Sequence, residues 1–271
     1  MMKIFAILIC VVLPLVAAPK PDAVKVYKTV GEVELKLHIF NPEDHKETDQ
    51  KPAIIFFFGG GWNGGTPEQF FPQSEYLAKR DMVAISAEYR VKSRHGTSPQ
   101  ECVKDGKSAI RWVTTHASEL GIAPDQIAAG GGSAGGHVAA AIAMKTDINE
   151  EGEDLTISAI PKALVLFNPV YDNGPGGYGH DRVEDYWKKI SPMHNIDKDT
   201  PPTIVFFGTK DKHVPVATAK KYDERLKSAG VKSQLFLYQD QPHGFFNKTK
   251  YDDTVTKMDA FLVELGLLKA Q

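Results

Sequence analysis

Gln126-Ile127-Ala128-Ala129-Gly130-Gly131-Gly132-Ser133-Ala134-Gly135-Gly136-His137-Val138-Ala139-Ala140-Ala141 is the stretch whose reading decides the fold. Its first part is a short apolar run that suits a buried strand. Its last part, continuing to Met144, is rich in alanine and suits a helix. Between them Gly131–Gly135 fits G-x-S-x-G. Such a serine sits on a tight strand-to-helix turn where neighbouring side chains would collide, so its flanks must be glycine or small. Ser133 then stands at a helix N-terminus, where the dipole favours developing negative charge. A glycine-rich turn with a spectator serine is the bland alternative.

The same alternation extends outward on both sides. Ala53–Phe58, Met82–Glu88, Ala163–Phe167, Thr203–Phe207 and Lys232–Tyr238 read as short apolar strands. Helical stretches separate several of them: one containing Ala109–His116 and opened by Ser98-Pro99, and others near 216–229 and 252–267. Strands alternating with helices mean an α/β fold with a mostly parallel central sheet and helices on both faces. Val24–Val30 and Val33–Phe40 flank Gly31-Glu32, and residues 33–39 alternate apolar and polar. They predict an antiparallel hairpin at the sheet's N-terminal edge. Residues 168–202 form the one long irregular stretch, a candidate lid or pocket insertion.

A serine hydroxyl is a weak nucleophile and needs a base oriented by a third group. This turn resembles the nucleophile turn of α/β-hydrolases, which implies that the acid and then the histidine follow later in the chain. His243, in Gln241-Pro242-His243-Gly244-Phe245, lies on a loop between the last strand and the last helix. Asp211 lies just past Thr203–Phe207. All three fall at the carboxyl edge of the sheet, where open α/β sheets place their sites. His213 and His137 are rival bases, and Asp172 is a rival acid. Phe58-Gly59-Gly60-Gly61-Trp62 follows another buried strand. Consecutive glycines let backbone N–H groups approach an oxyanion unobstructed. Gly60, Gly61 and Ala134 are the fitting donors. No Lys-Ser/Thr follows, so a phosphate-binding loop is not indicated.

Together these motifs resemble the α/β-hydrolase superfamily, and within it the serine esterases related to hormone-sensitive lipase and to bacterial acetyl and feruloyl carbohydrate esterases. The resemblance runs from about residue 53 to the C-terminus. It includes Gly59-Gly60-Gly61-Trp62, Glu88-Tyr89-Arg90, Asp105 with Ala109-Ile110-Arg111-Trp112, Pro124-Asp125-Gln126-Ile127, Gly132-Ser133-Ala134-Gly135-Gly136, Gly208-Thr209-Lys210-Asp211 and His243-Gly244-Phe245. It implies a cofactor-free carboxylesterase working through Ser133, His243 and Asp211. Glu88, Arg90, Asp105 and Asp125 are expected to be structural. There are two departures. The family usually has His before the three glycines, whereas this chain has Phe58, so apolar packing is expected to hold that loop. The strand-like run from Val24 leaves no room for a long helical cap, so a more open site is expected. Trp62, Tyr171, Tyr178 and Trp187 are candidate substrate-binding aromatics, with Tyr186 beside them; aromatics in an insertion also simply pack it down.

The chain has 271 residues, 24% charged and 42% hydrophobic, enough for a sizeable core. Its 32 Lys+Arg against 34 Asp+Glu give a net charge of -2, which does not support nucleic-acid binding. Residues 1–18, MMKIFAILICVVLPLVAA, have the charged, apolar, small-residue order of a secretory signal peptide. An uncleaved anchor, or a lipoprotein through Cys10, are the other readings. Without Lys3 the basic count falls from 32 to 31, against an unchanged 34, for a net charge of -3. Residues 19–271 are then expected as one catalytic domain, exported to a bacterial periplasm or beyond, with no membrane span. Cys102 would remain alone and buried on a helix. The histidines show no metal-ligand spacing, so no metal is expected. Small-molecule or polysaccharide-linked short-chain acyl esters are the expected substrates. A lipase, peptidase, formamidase, acyltransferase or non-catalytic binding protein on the same scaffold stays open, as does the oligomeric state.

Overall fold

The computed structural model describes residues 18–271; the expected signal segment lies almost wholly outside the described residues. Eight strands form one sheet: β1 (Ala23–Val30), β2 (Val33–Phe40), β3 (Lys51–Phe57), β4 (Val83–Ala87), β5 (Ile122–Gly132), β6 (Leu164–Phe167), β7 (Thr203–Gly208) and β8 (Ser233–Tyr238). Their order is β1-β2-β4-β3-β5-β6-β7-β8. β1 pairs with β2, and β2 with β4, antiparallel. Every pairing from β4 to β8 is parallel. The mostly parallel sheet with an antiparallel N-terminal edge is therefore present.

Five helices cover the sheet: α1 (Phe71–Ala78), α2 (Pro99–Thr115), α3 (Ala134–Ile142), α4 (Val216–Ser228) and α5 (Tyr251–Glu264). The two faces divide by strand parity. Ile55 and Phe57 of β3 join the core formed with α2, α3 and α4. Ile54 and Phe56 point the other way, into the core formed with α1 and α5. The continuous apolar runs of the central strands follow from this double burial. α2 starts at a capping box, in which Ser98 and Glu101 each satisfy the other's backbone N–H. Helix α1 has no counterpart in the sequence reading; its Phe-Pro-Gln-Ser opening lacks a strong apolar period.

At the end of β5 the sheet carries no side chains. A Cβ on Gly130 would meet the Phe56 ring at 2.7 Å, and one on Gly132 would meet the Phe246 ring at 2.7 Å. Phe246 thus fills the volume beside Gly132, and stacks with Phe70 at a ring separation of 5.8 Å. Of the residues expected to be structural, Arg90 and Asp105 are buried together. Arg90 donates to both oxygens of buried Asp105, which also pairs with Lys28. Cys102 is buried on α2, and burial pushes its thiol well up.

Candidate active site

β5 ends in a turn that only small flanking residues permit. Ser133 has φ 55° and ψ −119°, a left-handed conformation that costs a non-glycine residue of order 1–3 kcal/mol. Surrounding bonds hold it there. Its N–H donates to Phe167 O at 2.8 Å, and its carbonyl accepts from the N–H groups of His137 and Val170. A Cβ on Gly135 would lie 2.0 Å from Phe57 O and 2.3 Å from Phe58 O. Glycine there lets α3 start directly against the end of β3.

Asp211 follows β7 and His243 follows β8. His243 Nδ1 lies 2.7 Å from Asp211 Oδ2. The Asp211 side chain is fully buried, while that of His243 is 21% exposed. Asn168 Nδ2 also donates to Oδ2, at 2.8 Å, and the N–H groups of His213 and Val214 donate to Oδ1. Burial pushes the Asp211 pKa up, but His243 and these backbone donors outweigh it and hold the carboxyl below its ordinary value. An ionised acid with four donors is thus fixed behind one ring nitrogen of His243.

The rivals are not paired as Asp211 and His243 are. His137 is buried, with Nε2 near Asn173 Oδ1 and Ile190 O, and burial lowers its pKa to about 4. His213 stands edge-on to His243, with ring centroids 4.9 Å apart. Asp172 accepts from the Gly174 N–H and faces His194 at 3.8 Å.

Ser133 and His243 line one cleft of about 390 Å³, with Gly59, Gly60, Gly61, Asn63, Gln69, Gly132, Tyr178, Arg182, His213, Gly244 and Phe246. The Gly59–Gly61 loop is held mainly through atoms other than the N–H groups of Gly60 and Gly61. Gly59 N–H donates to Gln69 Oε1 at 2.6 Å. Gly60 O accepts from the N–H groups of Asn63 and Gly64, and Gly61 O accepts from Arg182 Nη1 at 2.8 Å. Gly60 and Gly61 both have positive φ. Their N–H groups, and that of Ala134, have no acceptor among the described residues. Phe58 is buried and stacks on Tyr89 at 4.2 Å, while Tyr89 Oη donates to Phe58 O at 2.5 Å. Packing therefore stands where the family usually has His.

The aromatic assignments need correction. Tyr178 alone of the four borders this cleft. Trp62 is 1% exposed, because its ring packs between His137 and Tyr178 and lies beneath Arg182. Tyr171 is fully buried and stacked at 3.8 Å on Tyr222 of α4. Trp187 packs against His194 and His180, inside the insertion. The insertion's aromatics mostly pin it down. Asn168, Gln69 and Arg182 went unnoticed in the sequence. Asn168 had one signal: a polar residue immediately after an apolar strand. Gln69 and Arg182 had none. Among the described residues, no group of three or more His, Cys, Asp or Glu is placed to hold a metal ion.

A family model described as BD-FAE matches residues 37–165, and one for the dienelactone hydrolase family matches residues 162–269. A probable isoprenylcysteine alpha-carbonyl methylesterase from Arabidopsis thaliana, ICMEL1, is 28% identical over 236 residues, covering 77% of this chain and 48% of that protein. A probable carboxylic ester hydrolase from Mycobacterium tuberculosis, LipM, is 28% identical over 265 residues, covering 84% of this chain and 58% of that protein. The chain thus spans about half the length of these relatives. Apo Thermogutta terrifontis esterase 2 is similar with a TM-score of 0.89 and 45% identity, over 94% of this chain and 98% of that one. Its form phosphorylated by paraoxon gives 0.87 and 46%, over 92% and 96%.

Proposed function

The chain belongs to the α/β-hydrolase superfamily, among its serine esterases, and within that membership we propose an exported carboxylesterase acting on short-chain acyl esters through Ser133, His243 and Asp211. The observation that carries the reading is the 2.7 Å contact of Asp211 with His243 Nδ1, at the rim of the cleft that Ser133 lines. With Nδ1 donating to Asp211, Nε2 is the ring nitrogen left to accept the Ser133 proton. Ser133 attacks the ester carbonyl, and His243 passes the proton to the departing alcohol. Asp211 holds the ring and stabilises its charged form. The free N–H groups of Gly60, Gly61 and Ala134 take the oxyanion, helped by the α3 dipole. Water, deprotonated by His243, then releases the acid from the acyl-enzyme.

Short acyl groups suit a cleft of this size. Propionate-bound and butyrate-bound structures of Thermogutta terrifontis esterase 2 support the same range. Acetyl or feruloyl esters of polysaccharides are the proposed natural substrates. Two recesses adjoin the cleft, one sharing Asn63 and Arg182 with it and the other Tyr178 and His213, so there is room for a larger alcohol portion. Export rests on the composition of residues 1–18.

The test uses para-nitrophenyl acetate and paraoxon. The parent protein should hydrolyse the ester and gain one diethylphosphoryl group. Ser133→Ala should lose both activities. Hydrolysis or labelling surviving in Ser133→Ala would refute the nucleophile. An inert parent would favour a binding protein on this scaffold.

A further inference from the structure

Arg182 is the one formal cation among the lining residues of the cleft, beside His213 and His243, and no Asp or Glu lines it among the described residues. The nearby acid, Asp211, is fully buried and already accepts four hydrogen bonds. Arg182 is also fixed in place. One Nη1 donor goes to Gly61 O at 2.8 Å. Its guanidinium carbon stands 4.9 Å from the Trp62 ring centroid and 5.3 Å from that of Tyr178. Trp62 is itself immobilised by burial. An arginine held on one nitrogen and two rings keeps further N–H donors in a rigid fork, the geometry that suits a carboxylate. The same residue borders the adjoining recess with Asn63, Lys92, Thr97, Ser98 and Asp181. There Lys92 and Asp181 offset each other in charge, leaving Arg182 as the surplus.

We infer that Arg182 makes this cleft selective for esters that carry a carboxylate close to the scissile bond. The inference rests on the esterase reading above and names the class of substrate for that site. The carboxylate could belong to the acyl part, as in a hemiester of a dicarboxylic acid, or to the alcohol part, as in an acylated uronate. The shared chemistry is an anionic oxygen pair meeting a preorganised guanidinium. Because Gly61 is a proposed oxyanion donor, a carboxylate held by Arg182 is anchored next to the reacting carbonyl. Selectivity should therefore show in kcat/KM.

Two matched pairs test this. Para-nitrophenyl hemiglutarate against para-nitrophenyl valerate examines the acyl side. The acetyl ester of para-hydroxybenzoate against that of para-hydroxybenzamide examines the alcohol side. In at least one pair the charged member should be favoured by roughly tenfold to a hundredfold, the value of a hydrogen bond to a charged group. The preference should shrink as salt rises. Arg182→Gln keeps a polar side chain but removes the charge, so the ratio should fall toward unity. Arg182→Lys should retain part of it. The ratio is read within each variant, so a general loss of activity does not obscure it, and the parent's salt dependence needs no variant. Equal rates in both parental pairs would overturn the inference, as would a preference that survives Arg182→Gln. If the parent hydrolysed none of the four esters, the esterase reading itself would fall.

Discussion

Replacing Gly135 with alanine would put a Cβ 2.0 Å from Phe57 O and 2.3 Å from Phe58 O. A carbon–oxygen contact tolerates roughly 3.3 Å, so the shortfall is about 1.0–1.3 Å. Both obstacles are backbone carbonyls at the end of β3, where no side chain can swing away. The N-terminus of α3 must retreat from the sheet, and it carries Ser133 and the Ala134 N–H with it. Overpacking of this kind costs about 1–3 kcal/mol, or roughly 2–12 °C of melting temperature in a domain of this size. A displacement near 1 Å at the reacting atoms costs about a hundredfold in rate. Gly135→Ala should therefore lose about two orders of magnitude in kcat on para-nitrophenyl acetate while remaining folded at 25 °C. Gly64 is the control: a Cβ there meets only Ser93 Oγ, at 3.8 Å. Gly64→Ala should stay near the parent. The assay is saturation kinetics beside thermal unfolding followed by circular dichroism. An unchanged kcat and melting temperature in Gly135→Ala would refute the packing argument.

Asp211→Asn should lose roughly 10⁴-fold in kcat, since the amide cannot stabilise the charged ring. Asp172→Asn should leave kcat close to the parent, and the reverse ranking in steady-state kinetics would move the acid to the end of β6. His137 should set part of the acid sensitivity. Its folded pKa of about 4 lies below the usual histidine value near 6.5, so the unfolded chain binds the extra proton between those values. Stability should then fall as pH drops from about 6.5 to about 4, by on the order of 3 kcal/mol. Urea titrations across that range, compared with His137→Gln, should show a shallower slope in the variant. An equal slope would exclude this histidine as the source.

What could be read from the sequence is what sterics dictate locally. Glycines around Ser133 and at Gly59–Gly61 leave few conformations open, and their positions just past buried strands place them at one sheet edge. Asp211 and His243 follow from the same rule, since each lies just past a strand. The strand order was out of reach. β4 lies between β2 and β3, and β3 pairs in parallel with both β4 and β5; which backbone edges pair is a tertiary choice. Residues that act across elements were equally hidden. Arg182 meets Gly61 across 121 positions of chain, and Asn168 meets Asp211 across 43. The insertion's aromatics misled because burial and display use the same residue types. Tyr171 turned inward once α4 offered Tyr222 to stack on.

The bare glycine end of β5, plugged by Phe246, ties the timing of assembly to its chemistry. Phe246 comes only three residues after His243, so the ring that fills the space beside Gly132 is delivered by the loop that delivers the base. A growing chain that has made everything through β8 owns Ser133 but neither partner ring. On the proposed mechanism that serine is inert until the loop after β8 docks. Ester turnover would then report the seating of that loop.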